Sequence, residues 1–263
     1  MRLPAALAVA MLASALASAV HAAESRSAEL ALGRRVYDTY CVGCHGENGD
    51  GNGPAARMLL VKPRDFTSGI FKFRSTPSGA LPTDADLFQI VTRGINRTAM
   101  PAFRLLPEQE RRAVVAYVKS FFPEWEKGPA PAPIFLPLPP VDLGSKESVA
   151  RGVELYGMLE CGRCHGDTGL GDGPSAKTLE PDSWGHPQKP FNFTKGTLKS
   201  GGEPVDVYRT FMTGLNGTAM PSYGDIFGSP DGESIRDGDA WNLVAYILSL
   251  RSQGGRPAKT RTE

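Results

Sequence analysis

The stretch that decides the fold reads Cys41-Val-Gly-Cys44-His45, and it recurs as Cys161-Gly-Arg-Cys164-His165, 120 residues later. These two motifs use all four cysteines of the 263-residue chain. The segment rich in glycine that follows the first motif, residues 46–54, recurs as residues 166–174 at the same offset. Repetition of fixed anchors at one offset predicts two copies of one domain.

Between these anchors the two copies differ in length. The second copy has seven extra residues around positions 184–188, and it loses seven again after Lys199, where the first copy has a loop over residues 74–86. Insertions and deletions that leave the anchors in place are typical of surface loops. The difference therefore agrees with two copies of one fold.

Cys-x-x-Cys-His is the attachment signature of c-type haem. Two thiols three positions apart on a helical turn can each add to one vinyl group of the porphyrin, and the next histidine then lies below the iron. A bare Cys-x-x-Cys is also compatible with a redox dithiol, half of a zinc site or an exported disulfide, but these do not explain an adjacent histidine twice. We predict two covalently bound haem c groups, attached through Cys41, Cys44, Cys161 and Cys164.

The axial iron ligands follow from the positions of histidine and methionine. His45 and His165 are the predicted proximal ligands, and Met100 and Met220 each lie 55 residues later in a Thr-Ala-Met-Pro tetrapeptide. His/Met ligation is typical of electron-carrier cytochromes. Isolated methionines are more often core residues, but this does not explain two matched tetrapeptides. The alternative sixth ligand for the second haem is His186, which lies in the seven-residue insertion and is more consistent with a loop position.

Both copies place a glycine one helical turn before a tyrosine on the predicted helix that leads into the motif. Such a glycine permits close approach of a second helix, so we expect the last helix of each copy to cross there. The residues are Gly33, Tyr37 and Tyr117 in the first copy and Gly152, Tyr156 and Tyr246 in the second.

The hydrophobic pattern predicts helices and no strands. No segment shows the alternation of a strand, and helices are predicted over residues 27–40, 84–94, 107–121, 146–160, 204–214 and 237–251.

The chain begins with the pattern of a secretory signal over residues 1–22. Arg2 supplies the positive charge, residues 3–20 are nearly all small or apolar, and Val20-His21-Ala22 suits a signal peptidase. The alternative is an uncleaved anchor, because the apolar run is just long enough to span a bilayer. We expect an exported protein.

The remaining chain divides into two domains, a linker and a tail. The linker contains Gly128-Pro-Ala-Pro-Ala-Pro and Pro137-Leu-Pro-Pro140, and proline-rich segments of this kind are extended and semi-rigid. Its four apolar side chains, Ile134, Phe135, Leu136 and Leu138, predict that it lies against a domain surface. The predicted limits are 23–127 for domain 1, 128–144 for the linker, 145–252 for domain 2 and 253–263 for a polar tail.

The charge of the chain gives no indication of nucleic-acid binding. The formal net charge is +1, and it falls to zero once Arg2 is removed with the signal. Nucleic-acid-binding domains typically carry a strong basic excess.

With these residues in view, each copy resembles a class I cytochrome c domain. The resemblance rests on the helix with glycine and tyrosine, the Cys-x-x-Cys-His motif, the Gly/Pro loop, the Met-Pro loop and the last helix. It implies a mainly α fold in which two class I cytochrome c domains are joined by a Pro-rich linker. One departure is Trp241 on the last helix of the second copy, where the first copy has Arg112.

The whole chain is similar to bacterial periplasmic dihaem cytochromes c. Lys62-Pro-Arg-Asp-Phe-Thr67, together with Phe71-Lys-Phe-Arg74, resembles the dihaem subunits that accompany periplasmic respiratory oxidoreductases. The resemblance implies a periplasmic electron carrier or electron-transfer subunit with redox protein partners, and membrane contact only through a partner or an uncleaved signal. The alternatives are a peroxidase-like or sulfur-oxidising dihaem enzyme and a haem-based sensor. A sixth ligand at both irons argues against catalysis.

Overall fold

The computed structural model describes residues 5–229 and 234–252, so the predicted polar tail lies outside the described residues. Within this part the chain forms nine α-helices and no strand beyond one isolated bridge between Leu198 and Gly201. The predicted helical fold is therefore confirmed. The helices are α1 (Ala5–Tyr40), α2 (Val42–His45), α3 (Asp84–Arg93), α4 (Glu108–Lys119), α5 (Lys146–Met158), α6 (Gly162–His165), α7 (Pro204–Thr213), α8 (Gly224–Gly228) and α9 (Asp239–Ser252).

Local sequence explains where several helices begin. The hydroxyl of Thr83 accepts a hydrogen bond from the backbone N–H of Asp86, and the Asp86 carboxylate accepts one from the backbone N–H of Thr83. This capping box satisfies two N–H groups that the first turn of α3 leaves unpaired. The hydroxyl of Ser145 caps α5 by accepting one hydrogen bond from the backbone N–H of Ser148.

The first helix extends further toward the N-terminus than predicted. Helix α1 runs without interruption from Ala5 to Tyr40, so it contains both most of the predicted signal and the predicted helix over 27–40. Alanine and leucine, which dominate this region, are strong helix formers, and no glycine or proline interrupts it before Gly33. No helix in the described part of the chain is long and apolar enough to cross a membrane.

Contacts divide the chain into two units whose limits differ from those of the sequence repeat. Unit 1 comprises residues 5–69, 91–93 and 103–128, and unit 2 comprises residues 70–90, 94–102 and the described residues from 129 onward. Two segments of the first copy therefore belong to unit 2. The predicted domain limits, which follow the repeat, stay predictions.

Unit 1 is built on the crossing of α1 with α4. A Cβ on Gly33 would lie 2.0 Å from the carbonyl oxygen of Ala113 and 2.8 Å from the Cβ of Tyr117, so only glycine permits this approach. The ring of Tyr37 packs edge-on against that of Tyr117 at 5.4 Å, as predicted. Arg112 is exposed on α4 and pairs with Glu108.

Unit 2 repeats this crossing with α5 and α9. A Cβ on Gly152 would lie 2.2 Å from the carbonyl oxygen of Asn242 and 2.6 Å from the Cβ of Tyr246. The rings of Tyr156 and Tyr246 meet edge-on at 5.2 Å. Trp241 is buried, and its ring centroid lies 4.5 Å from that of Tyr208. The second copy therefore has a tryptophan in its core at the position where the first copy has the exposed Arg112.

The proline-rich linker lies partly against unit 2. The backbone N–H of Ile134 donates to the carbonyl of Ser75 at 2.7 Å, and Ile134 and Leu136 pack on the core of the unit. Phe135 and Leu138 are exposed instead. The prediction of a docked linker is thus right for Ile134 and Leu136 and wrong for Phe135 and Leu138.

Candidate haem sites

Each Cys-x-x-Cys-His motif forms one tight helical turn. In α2 the backbone N–H of His45 donates to the carbonyl of Cys41 at 2.9 Å, and in α6 His165 does the same with Cys161. All four cysteines are free thiols. Burial raises the pKa of Cys41 to about 12 and that of Cys161 to about 11, so both thiols are protonated at neutral pH. The turn presents two thiols and one imidazole together, as attachment of haem c requires.

The first motif's histidine is oriented by its backbone and aromatic neighbours. The Nδ1 atom of His45 lies 3.0 Å from the carbonyl oxygen of Arg64, and the ring stacks on Phe66 with centroids 4.5 Å apart. Burial lowers the pKa of His45, which favours the neutral imidazole. A neutral ring that donates from Nδ1 to a carbonyl keeps the lone pair of Nε2 available for a metal.

The second histidine repeats this geometry within unit 2. The Nδ1 atom of His165 lies 3.1 Å from the carbonyl oxygen of Phe191, and its ring stacks on Phe193 with centroids 4.5 Å apart. Burial lowers the pKa of this histidine as well. Both histidines are therefore prepared to bind iron through Nε2.

The glycine segment after each motif packs directly against the haem-attachment turn. A Cβ on Gly53 would lie 2.5 Å from the carbonyl oxygens of Val42 and Gly43, and one on Gly173 would lie 2.3 Å from the carbonyl oxygen of Gly162. The backbone can approach so closely only without side chains at these positions. Glycine at these positions therefore lets the segment fold tightly against the attachment turn.

The Met100 segment is a tight loop closed by its own hydrogen bonds. The backbone N–H of Ile95 donates to the carbonyl of Met100 at 3.1 Å, and the backbone N–H of Thr98 donates back to the carbonyl of Ile95 at 3.3 Å. The hydroxyl of Thr98 donates to the carbonyl of Ile95 and accepts from the backbone N–H of Met100. The threonine of the tetrapeptide thus fixes the backbone of the methionine.

The Met220 loop contains the same four hydrogen bonds. Leu215, Thr218 and Met220 replace Ile95, Thr98 and Met100, with donor–acceptor distances of 2.7 to 3.2 Å. Met220 and Cys161 both pack against the hydrophobic core of unit 2.

The four residues predicted to hold the second haem, Cys161, Cys164, His165 and Met220, belong to one unit. Cys41, Cys44 and His45 belong to unit 1 and Met100 to unit 2, and the pairing of His45 with Met100 stays a prediction.

Family comparisons agree with this duplicated geometry. The family described as cytochrome c oxidase, cbb3-type, subunit III matches residues 28–118, and the family described as cytochrome c matches residues 149–251. The chain belongs to the c-type cytochromes, with two cytochrome c domains in tandem. No curated protein matches it.

A solved structure extends the likeness of this tandem cytochrome beyond single domains. A chain of the Kuenenia stuttgartiensis reducing HAO-like protein complex is 42% identical in sequence, with a TM-score of 0.75. The alignment covers 83% of this cytochrome and 95% of that chain.

The family assignment implies covalently bound haem c and electron transfer. The residues fit this cofactor: the structure provides free thiols on one turn and a histidine whose second ring nitrogen is already committed to a carbonyl. Bound to such a turn, haem c supplies an iron that exchanges one electron at a time.

Sequence reasoning missed the tyrosine hydroxyls of this site. The hydroxyl of Tyr37 donates to the carbonyl of Gly46 at 2.7 Å, and that of Tyr156 donates to the carbonyl of Gly166 at 2.7 Å. Each glycine directly follows the motif histidine. The tyrosines stand four and five residues before the first cysteine of their motifs, so the two copies are only approximately in register. The sequence predicted the packing of the tyrosine rings, but it gave no signal for the hydrogen bonds of their hydroxyls.

Proposed function

We propose that this cytochrome carries two haem c groups and transfers single electrons between redox proteins in the bacterial periplasm. It serves as a soluble carrier or as the haem subunit of an oxidoreductase complex. His45 and Met100 bind the first iron, and His165 and Met220 bind the second. The observation that carries the proposal is the identical hydrogen-bonded loop around both methionines.

The protein groups around each site favour electron transfer without bond rearrangement. The carbonyls of Arg64 and Phe191 fix the two imidazoles, and the threonine hydroxyls fix the two methionine loops. Groups that are held in place before and after the reaction need little reorganisation when the charge of the iron changes. With a histidine and a methionine bound to each iron, no coordination site would remain for a substrate.

The proposed partner is a periplasmic oxidoreductase. Support comes from the similar chain in Kuenenia stuttgartiensis, which belongs to a reducing HAO-like protein complex. Because the likeness covers most of both chains, a comparable association with a redox enzyme is the arrangement we favour. The signal pattern of residues 1–22 supports export.

Spectra of the purified holoprotein test the two-haem, six-coordinate assignment. We expect two haems per chain by pyridine haemochrome assay, a charge-transfer band of thioether–iron bonding in the oxidised protein, and no reaction of the reduced protein with carbon monoxide. Ready carbon monoxide binding would contradict the carrier and favour the haem-enzyme alternative. Replacement of Met100 by Ala should allow carbon monoxide to bind at the first haem, and replacement of Met220 by Ala should allow it at the second.

A further inference from the structure

A buried arginine of the first sequence copy holds the base of the Met220 loop in unit 2. Arg74 is 2% exposed, and its Nη2 donates to the carbonyl of Thr213 at 2.6 Å while Nη1 donates to that of Gly214 at 3.3 Å. Its Nε donates to the carbonyl of Pro77 at 3.2 Å. Thr213 ends α7 and Gly214 begins the loop that carries Met220. The guanidinium therefore binds the backbone at the point where the ligand loop leaves the helix.

The positive charge of Arg74 is not neutralised by direct ion pairing. Among the described residues, no carboxylate lies within salt-bridge distance of it. Asp86 is the carboxylate that acts on it through space, and one oxygen of Asp86 already accepts from the backbone and hydroxyl groups of Ser75 and Thr83, each at 2.9 Å. Burial lowers the pKa of Arg74 to about 10, so the side chain stays protonated at neutral pH.

The partners of the guanidinium are carbonyls, which carry partial charges only. The carbonyl end of α7 is the negative end of the helix dipole and stabilises the cation there. It does not cancel a full charge. A cation that is removed from water and lacks a paired carboxylate exerts a strong field within its unit, because screening by solvent is weak there.

A second contact from the same segment reaches the Met220 loop. The side-chain oxygen of Asn216 accepts from the backbone N–H of Gly79 at 3.0 Å, and its amide nitrogen donates to the carbonyl of Ala80 at 3.4 Å. Gly79 and Ala80 lie in the segment of residues 74–86, which is seven residues longer than its counterpart in the second sequence copy. The extra loop of the first copy thus supports the methionine loop of the second.

We propose that Arg74 is a positioning residue for the second haem, which fixes the start of the Met220 loop and raises the reduction potential of that haem through its buried positive charge. The charge disfavours the oxidised iron, which carries one positive charge more than the reduced iron. The inference rests on the proposed function, because it requires Met220 as the ligand.

The test uses the full-length holoprotein with spectroscopic redox titration and the thioether–iron charge-transfer band as readouts. Arg74→Gln removes the charge and keeps donors, whereas Arg74→Lys keeps the charge and loses the forked geometry. Arg236→Gln is the matched control, since it removes the same charge from an exposed position of unit 2. Met220→Ala identifies which of the two titration waves belongs to the second haem.

We expect Arg74→Gln to lower the midpoint of the second wave and to weaken its charge-transfer band, with the first wave unchanged. Arg74→Lys should keep a midpoint closer to the parent value but still weaken the band, and Arg236→Gln should change neither. The proposal would be overturned if Arg74→Gln kept the midpoint and the charge-transfer band of the parent protein. It would also be overturned if Arg74→Gln and Arg74→Lys shifted the midpoint equally.

Three further outcomes keep the test decisive. If Arg74→Gln does not mature with both haems, the test rests on Arg74→Lys. A charge-transfer band in Arg74→Lys that equals the band of the parent protein then overturns the positioning role. If Met220→Ala leaves both waves in place, the ligand assignment of the proposed function is wrong. If Met220→Ala moves a wave that the Arg74 variants do not move, only the inference on Arg74 is wrong.

Discussion

The hydroxyl of Tyr156 donates to the carbonyl of Gly166 at 2.7 Å and so joins helix α5 to the residue that follows His165. Tyr156 is buried, and burial raises the pKa of its hydroxyl, which therefore remains a donor at neutral pH. The bond leaves the glycine carbonyl satisfied at a place where water has little access. It links the helix crossing of the unit to the haem-attachment turn.

Tyr156→Phe should therefore destabilise the protein while the haem stays attached. Loss of this bond at a buried carbonyl is expected to cost about 1–2 kcal/mol in the free energy of unfolding, measured by denaturant titration. Tyr246→Phe is the matched control, because its hydroxyl makes a longer bond of 3.3 Å to the carbonyl of Asp167. An equal loss in both variants would show that the distance to Gly166 has no special importance.

Gly152→Ala tests the crossing of α5 with α9. The added methyl would lie 2.2 Å from the carbonyl oxygen of Asn242, so the helices must separate, and we expect a loss of about 2–3 kcal/mol in unfolding free energy. Gly157→Ala in the same helix meets nothing within 4 Å and should instead stabilise by roughly 0.5–1 kcal/mol, as alanine favours helix. Thermal unfolding of the two variants should shift in opposite directions. Destabilisation of similar size in both would contradict the close-crossing explanation.

Much of the site was predictable because it depends on short-range pattern. The Cys-x-x-Cys-His turn, the glycine segment and the Thr-Ala-Met-Pro loops are each set by residues close in sequence, and repetition doubled the signal. The crossing glycines were also predictable, since Gly33 and Gly152 each stand four residues before a tyrosine on the helix that leads into the motif. The helix ends differ from prediction by up to two residues, apart from the start of α1.

The support of the Met220 loop was not predictable, because it depends on contacts between distant parts of the chain. Arg74 lies 139 positions from its partner Thr213, and nothing in the local sequence distinguishes a buried arginine from a surface one. Trp184, in the insertion of the second copy, lies against Gly217, where a Cβ would be 2.6 Å from the indole ring. The insertion and the extra loop of the first copy read as surface loops, whereas both contact the Met220 loop.

Asp239 at the start of α9 should make stability depend on pH. It forms two hydrogen bonds with Arg151, at 2.6 and 3.0 Å, and accepts others from the Arg236 backbone N–H and the Asn242 amide. Burial alone would raise the pKa of Asp239, but these donors outweigh it and lower the pKa.

Because the folded pKa of Asp239 lies below the unfolded value of about 3.9, this stabilisation is present above that pH and is lost as the pH falls through the folded value. Asp239→Asn should lose about 3 kcal/mol at neutral pH and show a flatter decline in acid, measured by denaturant titration from neutral to acidic pH. If the unfolding free energy of the variant falls as steeply in acid as that of the parent protein, the pH dependence belongs to other carboxyl groups.

Thr218→Val tests whether the hydroxyl of the tetrapeptide holds the methionine ligand. In the parent this hydroxyl donates to the carbonyl of Leu215 at 2.7 Å and accepts from the backbone N–H of Met220 at 3.2 Å. Loss of these two hydrogen bonds should reduce the stability of the Met220 loop by about 1 kcal/mol. Because the methionine is then held less firmly, the charge-transfer band of the second haem should disappear at a lower pH. Thr98→Val is the matched change in the first loop and should affect the other haem alone, while Thr218→Ser should retain the parent band because it keeps the hydroxyl. A band that survives Thr218→Val unchanged through the alkaline titration would mean that the remaining loop contacts suffice to hold Met220.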